Sequence, residues 1–346
     1  MDKSHKRAVE GAAEGEAEGG PSKATRLAAP QSAISGEPGE PLTIVTYNAN
    51  GLTPRVEKHL PELHAFVSER QPDVLLITEA HLPCSGAIRS HPEMGGKNSA
   101  AKVVNALLSG PLASNFYRPF FSLASGRKAG QLVLVRARGV HLVGERVLGS
   151  ILDALLSHGA TAAELPTAFP AERHQEEGRI VYLAFDSFDL LSVWDANMKM
   201  FLCARGHLTE RPILCCGDFN VAHTAADSTH ESAFHNEPGF SADERSTFSA
   251  LLEVGFVDIW RELHPVPAGG AAAESASFTW RGLPDAEGRY GSGKEQRLDY
   301  FLAPAEWQKR RVKACDILGS GKARIGFLGS DHAPVQLTLR PLKHPL

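Results

Sequence analysis

The sequence predicts a mixed α/β domain in which sheets are covered by helices. Three observations predict it. Strand-like and helix-like runs alternate from Leu42 to Leu339. Polar residues capable of chemistry stand at the ends of several apolar runs. And 346 residues, 42% hydrophobic and 22% charged, are enough chain to bury a sizeable core.

The elements follow in order. Leu42–Tyr47 (LTIVTY) is β-rich, and Arg55–Arg70 sets Val56, Leu60, Leu63 and Val67 at helical spacing. Asp73–Thr78 (DVLLIT) reads as a buried strand. Gln131–Arg136, Arg179–Phe185, Asp189–Trp194 and Pro212–Cys216 read as further strands, and a helix is expected near Asp243–Glu253. Late strands are expected near Ser277–Trp280, Arg297–Leu302 and Val335–Leu339. Two stretches, 83–115 and 150–174, read as insertions, each a loop with a short helix. Residues 1–40 are rich in Ala, Gly, Glu, Ser and Pro and nearly lack large apolar groups, which predicts a disordered tail ahead of one domain over 41–346.

Composition excludes several classes. A formal net charge of −4 argues against binding nucleic acid by bulk charge, though not against a local basic groove. There is no apolar run long enough for a transmembrane helix, and the N-terminal residues lack the apolar core of a secretory signal. The 5 cysteines show no CxxC spacing, so neither a zinc site nor a disulfide framework is indicated, and a reduced compartment is expected.

The informative polar groups lie at strand ends, where sites assemble in α/β folds. LTIVTY runs into Asn48-Ala49-Asn50-Gly51, DVLLIT into Glu79, and ILCC into Gly217-Asp218-Phe219-Asn220. QRLDYFL carries Asp299, and Ser330-Asp331-His332 precedes the last strand. Carboxylate and amide oxygens suit a hard cation such as Mg²⁺. Phosphodiester cleavage needs charge stabilisation, an oriented water and help for the leaving oxygen. Glu79, with Asn50 or Asp331 nearby, could hold the metal. Asp218 could take the water's proton with Asn220 fixing its orientation, and Asp299 could orient His332 against a phosphate oxygen. Each piece alone also fits a turn or a solvated strand end; the ordered combination carries the reading.

In that order the blocks TYNANGL, PDVLLITEAHL, EEGRIVYLAFDSF, ILCCGDFNVAH, GFSADER, RLDYFLAP and LGSDHAPV resemble the exonuclease III type of apurinic/apyrimidinic (AP) endonuclease, within the DNase I-like endonuclease/exonuclease/phosphatase superfamily. The resemblance implies a four-layered α/β sandwich with two central mixed sheets. It implies Mg²⁺-dependent hydrolysis (Mn²⁺ as a substitute) 5′ to an abasic site in DNA, with 3′–5′ exonuclease or 3′-phosphodiesterase activity as a companion. A monomer acting in base excision repair in the nucleus, away from membranes, is the setting it suggests. Residue by residue it assigns the metal side to Asn48, Asn50, Glu79 and Asp331, with Glu79 the main ligand. It assigns the nucleophile side to Asp218 and Asn220, the phosphate-polarising pair to His332 and Asp299, and a phosphate contact to Asn197. Arg127 and Lys128 match a DNA-contacting loop, and Trp280 and Arg281 lie near the pocket for the extruded abasic sugar.

The chain departs from that pattern in three places. Trp194 stands where a tyrosine is usual, and an indole donates one N–H but neither ionises nor accepts. The Met198–Arg211 segment is shorter than the family's basic loop and helix, through a skipped exon or a true deletion, and takes phosphate-positioning arginines with it. His81 replaces a usual lysine and Thr78 a usual glutamine. Alternatives therefore stay open: a phosphodiesterase for RNA or small phosphoesters, or a weakened relative that binds DNA without cutting.

Overall fold

The computed structural model describes residues 39–85, 88–92, 100–114, 116–124, 129–146, 178–194, 211–229, 239–266, 277–282, 294–320 and 323–342. These all belong to one compact unit, Gly36–Leu346. The chain runs β1 (Thr43–Asn48), α1 (Leu52–Arg70), β2 (Val74–Thr78), the short pair β3 (Cys84–Ser85) and β4 (Ile88–Pro92), and α2 (Ala101–Leu107). It continues with β5 (Tyr117–Ser122), β6 (Gln131–Arg136), β7 (Gly144–Arg146), β8 (Ile180–Ala184), β9 (Asp189–Trp194) and β10 (Ile213–Asp218). Next come α3 (Ala242–Glu253), β11 (Phe256–Asp258), α4 (Ile259–Leu263) and the pair β12 (Trp280–Arg281) and β13 (Glu295–Gln296). The last elements are β14 (Asp299–Pro304), α5 (Ala305–Arg311), β15 (Val312–Ile317) and β16 (Val335–Leu339).

Two six-stranded sheets form, in the orders β15-β16-β1-β2-β6-β5 and β11-β14-β10-β9-β8-β7. Both are mixed: β1–β2 and β9–β10 are parallel, and the other pairs within these sheets are antiparallel. Alternation along the strands sends one set of side chains inward and the other outward. Ile44, Val74, Leu76, Val133 and Val135 of the first sheet meet Val181, Leu183, Leu190, Leu214, Cys216 and Phe301 of the second in a shared core. The opposite faces, Val45, Tyr47, Leu75 and Ile77 on one side, are covered by Leu52, Val56, Leu63 and Val67 of α1. On the other side Leu191, Val193, Cys215, Tyr300 and Leu302 are covered by Phe248 and Leu251 of α3. Helix, sheet, sheet and helix make the four-layered α/β sandwich that the resemblance implied.

Gln131–Arg136, Asp189–Trp194 and Val335–Leu339 match the expected strands end to end, and helix α1 starts three residues earlier than its apolar spacing showed. The expected strand at Ser277–Trp280 shrinks to Trp280–Arg281. Strands β5 and β15 were not anticipated. In β15 the charged Lys313 and Asp316 interrupt the apolar pattern because only one face is buried. The 83–115 insertion carries α2 as its short helix; 150–174 lies outside the described residues. So does the expected tail, except its last two residues, which are part of the domain. Gly39 bridges Val140, and Glu40 pairs with Arg311 at 2.7 Å.

Candidate active site

Strand register assembles the centre. Asp218 ends β10, directly opposite Asp299 of β14 on one side and Trp194 of β9 on the other. In the facing sheet Asn48 ends β1 opposite Thr78, so that Glu79 follows at the same edge. Asn48 ties the sheets together: its amide donates to Glu79 Oε1 (2.9 Å) and to Asp218 Oδ2 (2.8 Å). Gly217 makes the close strand approach possible, since a Cβ there would lie 1.9 Å from the Val193 carbonyl oxygen. Asn50, Glu79, His81 and Asn220 all hold left-handed backbone conformations, with φ of 44°, 50°, 53° and 50°. Non-glycine residues avoid this region, and its concentration at one edge is a feature of functional sites.

Each acid has a distinct set of partners. Glu79 accepts from Asn48 and from the Trp194 indole at Oε1 (2.9 Å), and its Oε2 lies 3.1 Å from His81 Nε2. Burial alone would raise its pKa; hydrogen bonds from His81, Asn48 and Trp194 and the charge of His332 outweigh that and hold it at about 2. Asp331 accepts from Asn50 Nδ2 at Oδ1 (2.9 Å) and from Trp280 Nε1 at Oδ2 (3.2 Å).

Asp218 and Asp299 are buried, and His332 hydrogen-bonds Asp299 Oδ2 through Nδ1 at 2.8 Å. Burial works against the imidazolium, but Asp299, Asp218 and Asp331 raise its pKa to about 10. The ring is therefore a cation at neutral pH, with Nε2–H as its remaining donor. Asp218 is pushed well above the ordinary carboxylate range, first by burial and then by the charges of Asp299 and Glu79, with His332 opposing. Its Oδ1 accepts the Asn220 backbone N–H at 2.9 Å. A buried carboxylate with a raised pKa is a competent acceptor for a water proton.

Whether a metal fits is decided by donor chemistry. The groups hydrogen-bonded to Glu79, Asp218, Asp299 and Asp331, among the described residues, are amides, indoles, hydroxyls, backbone N–H and two histidines, with no lysine or arginine. An acid-rich edge of hard oxygens suits a hard divalent cation. Asp218, Asp299 and His332 also place potential ligand atoms within 4.8 Å of one another. Within that trio His332 Nδ1 is engaged by Asp299 Oδ2, whereas Glu79 and Asp331 are bonded, among the described residues, by neutral or imidazole donors only.

The expected residues thus sort unevenly. Asn48, Asn50, Glu79, Trp194, Asp218, Asn220, Asp299, Trp280, Asp331 and His332 come to one edge. Asn48 bridges the two acids: its amide N–H groups face Glu79 and Asp218, and its Oδ1 accepts the Asn50 N–H (2.8 Å). Arg281, expected near the abasic-sugar pocket, is 2% exposed and ion-paired to Glu295 across the β12–β13 pair. Asn197, Arg127 and Lys128 lie outside the described residues, as do residues 198–210 of the shortened segment.

The features define a class: a phosphoester hydrolase centre at the shared edge of a two-sheet sandwich. The chain belongs to the Endonuclease/Exonuclease/phosphatase family, whose pattern matches residues 45–332. It is similar to a DNA-(apurinic or apyrimidinic site) endonuclease of Arabidopsis thaliana, 29% identical over 342 residues, covering 87% of this chain and 85% of that one. An exodeoxyribonuclease of Bacillus subtilis is 30% identical over 183 residues, covering 49% and 66%. Among solved structures, an AP endonuclease from Archaeoglobus fulgidus superposes with a TM-score of 0.56 at 20% identity, covering 86% of this chain and 99% of that one. That likeness bears on the fold. No helix among the described residues is long and apolar enough to cross a membrane.

Proposed function

We propose that the protein is an AP endonuclease that hydrolyses the phosphodiester 5′ to an abasic site in DNA, with Mg²⁺ as its cofactor and Mn²⁺ as a substitute. The observation that carries the reading is the junction of Glu79, Asp331, Asp218 and the Asp299–His332 pair at one edge. The similarity to the Arabidopsis endonuclease over most of both chains supports the substrate. Glu79 and Asp331 would hold the metal, which when bound supplies positive charge to a phosphate oxygen.

The chain's own groups account for the rest. Asp218 accepts the proton of the attacking water, held in place by the Asn220 N–H and the Asn48 amide. His332, kept protonated by Asp299, presents an N–H and a positive charge to the phosphate. Trp280, half-buried beside His332, offers a ring against a sugar that no base holds in the stack. We assign action as a monomer in the nucleus, with residues 39–346 as the catalytic domain behind an N-terminal tail.

The test is incision of a duplex carrying one tetrahydrofuran abasic analogue, with an intact duplex, an RNA hairpin and p-nitrophenyl phosphate alongside. The expected outcome is a single nick 5′ to the analogue, abolished by EDTA and restored by Mg²⁺. Equal or greater turnover of RNA or the small phosphoester would replace this reading. Binding of abasic DNA without nicking would identify a non-cutting relative.

A further inference from the structure

The two acids assigned to the metal share an unusual feature: each is gripped by an indole. Trp194 Nε1 donates to Glu79 Oε1 at 2.9 Å, and Trp280 Nε1 donates to Asp331 Oδ2 at 3.2 Å. The pairs are 115 and 51 residues apart in sequence, so each contact is made by the tertiary fold.

Both rings are themselves held. Trp194 ends β9, where its backbone N–H donates to the Arg179 carbonyl at 2.9 Å, and the Arg179 guanidinium lies 4.8 Å from the ring centroid. Trp280 bridges His332 and packs against the small cluster of Ala222, Phe240 and Leu298. Each carboxylate also has a donor on its second oxygen: His81 on Glu79 and Asn50 on Asp331.

We propose that Trp194 and Trp280 are positioning residues that set the orientation of Glu79 and Asp331 and thereby the affinity of the site for a divalent cation. The proposal rests on the reading that these two acids hold the metal. Indole suits the task for a chemical reason. It is a donor only, with no lone pair to compete for the cation and no ionisation that would remove its N–H. A hydrogen bond to an ionised carboxylate is among the stronger ones. On Glu79 the Asn48 amide and the Trp194 indole together fill Oε1, which leaves Oε2 as the oxygen with a lone pair to offer. The tyrosine-to-tryptophan departure at position 194 is then a substitution that retains a donor beside Glu79, with the phenol's ability to ionise given up.

The test measures metal binding without turnover. Mn²⁺ alone is titrated into the full chain by calorimetry, for the wild type, Trp194→Phe and Trp280→Phe. A further protein carries 3-benzothienylalanine at position 194, which keeps the bicyclic shape and replaces N–H by sulfur. Partners that orient metal ligands contribute about tenfold to a hundredfold in affinity, so each variant should bind Mn²⁺ at least about tenfold more weakly. Melting temperatures in EDTA should stay at the wild-type value, which a merely structural role for the rings would not permit. Wild-type affinity in the benzothienyl protein, or in a folded Trp280→Phe, overturns the inference and leaves the metal reading intact. A wild type that binds no Mn²⁺ overturns that reading and the inference with it.

Discussion

Two buried clusters of charge stand within one short segment of this chain, and they are built oppositely. Arg297 and Asp299 are two residues apart. Arg297 reaches Asp227 Oδ1 (2.8 Å) and Asp258 Oδ2 (2.6 Å), and Arg261 adds a second guanidinium on Asp227 at 2.5 Å. Two arginines meet two aspartates, and the Arg297 guanidinium lies over the Trp260 and Tyr300 rings at 5.1 and 4.4 Å. Asp299 belongs instead to the edge where Glu79, Asp218 and Asp331 gather around His332. In the first cluster two guanidinium groups face two carboxylates: burial opposes the Asp227 charge, yet Arg297 and Arg261 hold its pKa at about 2. In the second the acids are in excess, and the strain appears as a raised Asp218 and a cationic His332. Balanced buried charge makes scaffold; unbalanced buried charge makes a site that a cation and a proton can complete.

The largest expected effect falls on the unbalanced cluster. Asp218→Asn should lower kcat on abasic DNA by about a hundredfold to ten-thousandfold, the range for loss of a positioned proton acceptor. Because the substitution also relieves repulsion with Asp299 and Glu79, its melting temperature should equal or exceed that of the wild type. A clear drop in melting temperature would show that Asp218 is scaffold after all.

The balanced cluster should respond the other way. Arg297→Leu leaves Asp258 without its guanidinium partner and Asp227 with Arg261 alone, and should cost about 3–5 kcal/mol in urea unfolding. A cost below about 1 kcal/mol, typical of an exposed pair, would break the contrast.

Acid titration sharpens it. The Asp227 pKa is depressed from 3.8 to about 2 in the folded state, so its stabilisation is complete above 3.8 and disappears as pH falls through about 2. The linked stability is about 2 kcal/mol. Unfolding free energies measured across this window should fall in the wild type and be flatter in Asp227→Asn.

The smallest effect is a control outside both clusters. Ser241 caps α3 with a reciprocal capping box to Glu244. Ser241→Ala should cost about 1 kcal/mol of stability and leave the metal affinity and kcat unchanged.

The acids of the site were legible because each adjoins an apolar strand run, where a carboxylate stands out against Val, Leu and Ile: Glu79 follows one, Asp218 ends one, Asp299 begins one and Asp331 stands shortly before one. Asp227 and Asp258 were not legible. One sits in a short 3₁₀ turn and the other at a helix cap, positions that Asp fills for local reasons throughout proteins. The burial of Arg281 and its pairing with Glu295 were not legible either, because they depend on how β12 and β13 come together.

By itself the sequence determined the alternation of strands and helices, the apolar faces that pack into layers, and the identities of the acids and the histidine. Those follow from local periodicity and residue chemistry, which act over a few residues. Only the tertiary structure decided that Asp218 lies between Trp194 and Asp299, that Asn48 joins the two sheets, and that indoles grip Glu79 and Asp331. Strand register and the approach of one sheet to another set those distances, and they depend on the packing of the whole chain at once.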